Sequence, residues 1–441
     1  MPMSEEKKRT DARNGQNGQN HEDVTGTEQQ ESYSFLEETI KPKTISRQKL
    51  LQQFIRVAVY GVILGAFACM GFYALKPKAQ NWFKGDPQTV TIPEDEKPEE
   101  DTEVADTSED TEVQENPVLD QANYEEMLDS LYDTAQTAGK SVVAVSKVSD
   151  QEDWDAEATG IVPAVSGVIT ADNGQELLIF ASQSVCEDAE AWTVTFSDGS
   201  EHPAVLKKRD ANSGFVVFGV AKKEISDVAW KAVKVATLGN SNLMKQGECV
   251  IALGNIAGYN AGVSYGIISS NSYSEKFRDG ECDVLATDIP CAADATGVLF
   301  NLKGEVVGMI SSSIWEEQES NTANAYAISD LKPIIERMAN GESVPYVGIY
   351  GTTVTGELQD EGIPAGIYVI DVDPDSPAME AGIQSGDIIC EVNGEVVTNI
   401  GNYQKAVLRT KAGNQIKLKG KRQGADDYVS VKFNVTVGTK E

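Results

Sequence analysis

The pattern of apolar and polar positions divides the chain before any motif is considered. Residues 1–45 are polar, with Gln-Asn repeats and few apolar side chains. Such a stretch cannot bury enough surface to offset the cost of ordering it. A disordered tail is expected over 1–56, basic towards its end. The pattern then changes abruptly. Residues 57–75, VAVYGVILGAFACMGFYAL, carry no charge and come close to the ~20 residues a helix needs to cross a bilayer. A transmembrane helix is expected there. Residues 76–119 turn polar again, dense in Asp and Glu with Pro, Thr and Ser between, which predicts an extended, self-repelling, disordered linker.

Periodic segments begin at Tyr124. Met127, Leu131 and Tyr132 recur at helical spacing. Short β-type runs follow at 141–146, 167–170, 177–180, 192–196, 215–218, 249–253 and 266–269, separated by Gly, Asn and Asp turns. Regular strands without long helices predict barrels or sandwiches. Residues 296–310 read as a hairpin around Lys303-Gly304. Residues 331–338 read as a helix, with Ser329 or Asp330 as its cap and Pro333 in its first turn. A second β pattern starts at Tyr346. It includes an Asn393-Gly394 turn, a helix over 402–410 and two closing strands.

Charge and cysteine usage narrow the function classes. The formal net charge of −32 argues against a nucleic-acid partner, which needs clustered Lys and Arg. Lys41, Lys43, Arg47, Lys49 and Arg56 precede the apolar run, and Lys76, Lys78 and Lys84 follow it. That excess predicts a cytoplasmic N-terminus and a single-pass protein of the cell membrane, with the later domains extracytoplasmic. Of six cysteines, Cys69 lies in the apolar run; Cys186, Cys249, Cys282, Cys291 and Cys390 lie outside it. These read as small buried residues. No CxxC or Cys/His cluster appears, so no metal is expected, and no cofactor.

The remaining motifs resemble the HtrA/Deg family of trypsin-like serine proteases. Leu238-Gly239-Asn240-Ser241, the run 250–255 (Val-Ile-Ala-Leu-Gly-Asn), Gly266-Ile267-Ile268-Ser269, Thr287-Asp288, and Asn301 with Gly304, Val306, Val307 and Gly308 match that family in order and spacing. The resemblance runs from about Ser141 to the end. It implies a mainly β protein: a double β-barrel over 120–340, followed by a PDZ domain over 345–438.

The chemistry implied by the resemblance is a His base, an Asp that orients it and a Ser nucleophile. At those places stand Ser184 (or Gln183, one residue earlier), Gly214 and Ala295. A methyl group cannot attack a carbonyl, and neither a hydroxyl nor an amide takes up a proton near neutral pH. Ala293 replaces the Gly of the family's oxyanion loop. His202 lies at a non-catalytic position and reads as a solvated loop histidine. The protein is therefore expected to be a catalytically inactive homologue, a pseudoprotease acting as scaffold or regulator in protein quality control. The alternative is an active serine endopeptidase with a non-standard catalytic set, resting on Ser182 or Ser184. In the PDZ-like part, Tyr346, Val347, Gly348 and Ile349 match a carboxylate-binding loop, and Tyr403 and Val407 are candidate groove walls. Expected partners are unfolded or C-terminal peptide segments of proteins, the membrane, and other HtrA-like subunits in a homo- or hetero-trimer.

Overall fold

The computed structural model describes residues 51–52, 55–63, 65–67, 70, 87–97, 121–148, 163–314 and 321–441. The chain divides into a unit of residues 1–80 and a unit of residues 81–441. In the first, the described residues between 51 and 70 are helical. Among the described residues no helix is long and apolar enough to cross a membrane; residues 71–75 of the predicted span lie outside them, as do the tail over 1–50 and Cys69.

The described residues of the second unit open with 87–97, inside the stretch predicted to be a disordered linker; residues 76–86 and 98–119 of that stretch are outside the described ones. The segment is fastened to the fold. Ile92 is buried and Val90 packs beside it. The Asp95 carboxylate lies 2.7 Å from Lys332 Nζ and 2.6 Å from Ser329 Oγ. Two apolar residues at strand spacing and one acid matching a buried lysine outweigh the acidic composition around them.

Helix α1 (Gln121–Gly139) then leads into the first barrel. Its strands are β1 (Val142–Lys147), β2 (Val165–Asp172), β3 (Glu176–Ser182), β4 (Trp192–Thr195), β5 (Glu201–Asp210) and β6 (Phe215–Ala221). They close in the order β1-β2-β3-β6-β5-β4, and every neighbouring pair is antiparallel. The second barrel comprises β7 (Cys249–Asn255), β8 (Gly262–Phe277), β9 (Gly280–Pro290), β10 (Thr296–Phe300), β11 (Val306–Ser311) and β12 (Thr322–Ala327), closed as β10-β11-β12-β9-β8-β7. Closure leaves no open edge strand. Helix α2 (Ile328–Ala339) packs Leu331, Ile334, Ile335 and Met338 into a core that also holds Phe180, Phe215, Val298 and Phe300, so one apolar cluster spans both barrels.

The local expectations for α2 are corrected. Its N-cap is Ala327, without a side-chain capping bond. Ser329 lies inside the helix, its hydroxyl engaged by Asp95 and the amide of Ser241. Pro333 is the sixth residue of the helix rather than part of its first turn. The hydrogen bond a proline removes falls there on the Ser329 carbonyl. The cysteine reading also changes: Cys282 is buried, Cys249 is exposed, and Cys186, Cys291 and Cys390 are half-buried.

The last domain is a sheet of β13 (Ile349–Thr353), β14 (Ile367–Val372), β15 (Ile388–Val392), β17 (Gln415–Gln423) and β18 (Tyr428–Thr436), with β16 (Glu395–Val396) paired to β15. Helix α3 (Ile400–Leu408), capped by the Asn399 side chain, buries Ile400, Tyr403 and Val407 against the sheet.

Candidate functional site

The three positions read as a vacated triad lie at the ends of barrel strands. Ser184 sits in a short 3-10 turn after β3, and its hydroxyl is exposed. Its neighbour is another hydroxyl, Ser182 Oγ, at 3.0 Å. Gln183 donates its amide to the Gly214 carbonyl at 2.9 Å, so the turns after β3 and before β6 meet. Gly214 has φ +79°, which residues with a Cβ seldom adopt. The backbone there suits glycine, and the position carries no side chain that could orient a base.

The acid nearest in sequence, Asp210, is buried and turned into its own loop. Its carboxylate accepts the amides of Asn212 (3.3 Å) and Ser213 (3.1 Å). Burial pushes its carboxyl up, against the pull of those hydrogen bonds. His202, read as a solvated loop residue, is instead buried on β5. Its ring lies 4.7 Å from that of Phe196, and its Nε2 is 3.1 Å from Ser200 Oγ. Residue alternation along β5 carries it inward. Tyr326 is the large phenol of the inter-barrel core, edge-on to Phe215 at 5.7 Å. Burial raises its pKa to about 12, far from the range of a general base at neutral pH.

Ala295 is buried at the start of β10. Ala293 and Asp294 form an exposed turn before it. The Ala295 amide donates to the Ala292 carbonyl at 3.2 Å. In the trypsin-type arrangement the nucleophile's own N–H helps hold the oxyanion; here that donor is used inside the turn. The cavity lined by Cys291, Ala293, Ala295, Ile310, Ser311 and Asn324 measures about 20 Å³, room for roughly one water and no side chain.

The second candidate site is better assembled. Gly348 has φ +95°, and a Cβ there would meet Ser376 Cβ at 2.4 Å, so only glycine fits. The amides of Val347, Gly348 and Ile349 point to one place. There they donate to a carboxylate of the same chain, Asp279: 2.7, 2.7 and 3.0 Å. The Tyr403 hydroxyl donates to it as well, at 2.9 Å. The structure thus brings Val347, Gly348, Ile349 and Tyr403 to one point. Val407, on the same face of α3, is buried in the domain core. Tyr346 turns away; its hydroxyl donates to Asp373, and its backbone pairs with Gly438. Burial, the Asp373 hydrogen bond and the Asp373 charge push its phenol far up.

Sequence reasoning missed Asp279. Asp279-Gly280 is an ordinary hairpin signal, and it closes the β8–β9 reversal, where Phe277 pairs with Gly280. Nothing local marks the residue for a loop some seventy positions away.

These features define a trypsin-like peptidase domain joined to a PDZ domain, the HtrA/DegP-type arrangement. Residues 165–309 match the trypsin-like peptidase domain family, and residues 345–433 match the PDZ domain. Among similar proteins, a probable periplasmic serine endoprotease DegP-like of Halomonas elongata is 30% identical over 274 residues, covering 60% of this chain and 55% of that protein. The serine protease Do-like HtrB of Bacillus subtilis is 28% identical over 280 residues, covering 59% of each. The chain thus spans little more than half the length of these relatives. A solved variant of the HtrA-type protease AlgW with tripeptide aligns over 70% of this chain and 97% of that one at 21% identity, with a TM-score of 0.50, a likeness of fold.

Proposed function

We propose that the chain is a membrane-anchored HtrA-like pseudoprotease. Its PDZ domain captures peptide segments or C-termini of extracytoplasmic proteins, and it serves as scaffold or regulator in protein quality control, alone or assembled with other HtrA-like subunits. The observation that carries the loss of proteolysis is Ala295, a buried methyl whose amide is committed to Ala292. Ser184 and Gly214 at the partner positions supply neither a proton acceptor nor an orienting acid. Loss of a whole triad removes on the order of 10⁶ in turnover. The carboxylate-cradling amides of Val347, Gly348 and Ile349, with Tyr403 on the facing helix and Tyr346 bracing the loop, support peptide capture. The membrane anchor is supported by the apolar run, whose described helical residues Val57, Val62, Phe67 and Met70 are all exposed.

The relatives are named serine proteases, which favours a second reading, an endopeptidase using Ser182 or Ser184. Purified full-length protein incubated with casein and with a fluorophosphonate probe separates the two. The expected result is no cleavage and no labelling. Cleavage or labelling lost in the Ser182→Ala or Ser184→Ala variant restores the enzyme.

A further inference from the structure

The carboxylate loop of the PDZ domain is filled, and the filling group is delivered by the peptidase domain. The β8–β9 hairpin reaches across to β13, and its turn is Arg278-Asp279. Asp279 takes φ +63°, a left-handed conformation that Asp tolerates better than most residues. That geometry aims its side chain into the loop. Besides the four donors to its carboxylate, its own amide donates to the Ile349 carbonyl at 2.7 Å. The contact is the first rung of an added strand combined with capture of an anionic group, the two elements by which an extended peptide end is held.

The tip is locked from both sides. Asn212 Nδ2 donates to the Arg278 carbonyl at 2.7 Å from the first barrel. The Arg278 guanidinium lies 3.1 Å from Asp371 and 3.0 Å from Asp373 of the PDZ domain. Lys276 Nζ donates to Thr352 Oγ1 at 2.8 Å, and Gln404 Oε1 accepts the Glu281 amide at 3.3 Å. A carboxylate withdrawn from water is costly unless its hydrogen bonds are replaced. Burial pushes the Asp279 carboxyl up, and the amides of Gly348, Ile349 and Val347 with the Tyr403 hydroxyl pull against it. The tip supplies a single backbone rung beside β13, the end strand of its sheet, so an extended peptide end that brings a carboxylate and further rungs can replace it.

We propose that Asp279 occupies the PDZ carboxylate loop in place of a peptide's terminal carboxylate, so that a partner with a free C-terminus binds by displacing the hairpin tip. This rests on the reading of the loop as a peptide site. Occupancy by the tip lowers apparent affinity by the fraction of molecules in which the loop is open. A displaced tip frees Arg278 from Asp371 and Asp373, so capture of a C-terminus loosens the two domains.

The test uses the full chain in detergent. A fluorescein-labelled pool of nonapeptides with an apolar last residue and a free carboxylate is titrated by anisotropy, beside the same pool amidated. Hydrogen exchange at the amides of 347–349 is followed in parallel. Asp279→Ala is expected to bind the free-carboxylate pool at least about tenfold more tightly than the parent, to leave the amidated pool unbound, and to exchange those amides faster. Asp279→Asn keeps the turn and guards against misfolding; it is expected to fall between the two. Equal binding by parent and both variants overturns displacement. Unchanged exchange at 347–349 overturns occupancy. Faster exchange in the variants with no peptide bound by any form upholds occupancy and instead sinks the peptide reading beneath it.

Discussion

At the scale of single residues, the proposed loss of proteolysis rests on more than the side chains at 184, 214 and 295. Restoring a hydroxyl by Ala295→Ser places it where the amide is already committed to Ala292. It also leaves Ser184 where a base would be needed. The variant is expected to hydrolyse casein no faster than the parent, measured with a fluorogenic substrate over hours; a rise well above the parent rate would show that a base is present after all. The residues at these three positions are legible in the sequence because the motifs around them hold their spacing, as in Leu238–Ser241 and Thr287-Asp288. The left-handed backbone at Gly214 and the internal bond of the Ala295 amide were not legible, since both depend on how the turns close. His202 reads as a loop histidine from sequence for a related reason: β5 begins at Glu201, and the alternation of that strand, not local polarity, sets the direction of the ring.

At the scale of elements, β1 to β4, β6 to β8, the β10–β11 hairpin and much of the PDZ sheet followed from alternation and turn residues, while β5, β9 and β12 did not stand out as apolar runs. The N-terminal segment of the second unit escaped for a different reason. The segment 87–97 is acidic in composition, and composition predicts a solvated spacer. Its attachment depends on Lys332, a residue of α2 that is 6% exposed at its side chain and meets Asp95 at 2.7 Å. Removing the acid leaves that ammonium buried without its partner, a loss of about 3 kcal/mol by the usual behaviour of such pairs. Asp95→Ala is accordingly expected to lower the urea midpoint of the barrels and to expose residues 87–97 to limited proteolysis. Double substitution with Lys332→Met should recover much of the loss. If Asp95→Ala unfolds at the parent's urea concentration, the segment contributes nothing to stability.

At the scale of the whole second unit, the contact between barrels and PDZ domain is polar and charged, and so sensitive to pH. Asp373 is its hub, with Lys440 Nζ at 2.5 Å, Arg278 at 3.0 Å and the Tyr346 hydroxyl as a further donor. Burial raises its carboxyl, but Lys440, Tyr346 and Arg278 together hold it below the ordinary range. A depressed carboxyl contributes stability above its unfolded value and loses that contribution as pH falls through the folded one. Asp279 shifts the other way, and Asp371 is a second acid facing Arg278, so the Asp373 contribution is best read as a difference. The parent is expected to be more stable than Asp373→Asn near neutral pH, with the gap closing as pH falls below about 4. Chemical denaturation at a series of pH values measures it, and a gap independent of pH would remove Asp373 from the hub.

The hairpin tip sets a demand on side-chain choice that few surface turns make. A left-handed backbone admits glycine, asparagine and aspartate with little strain. A pair of acceptor oxygens bearing a full negative charge admits aspartate and glutamate. One member of the twenty-letter alphabet belongs to both sets, and it is the residue at 279.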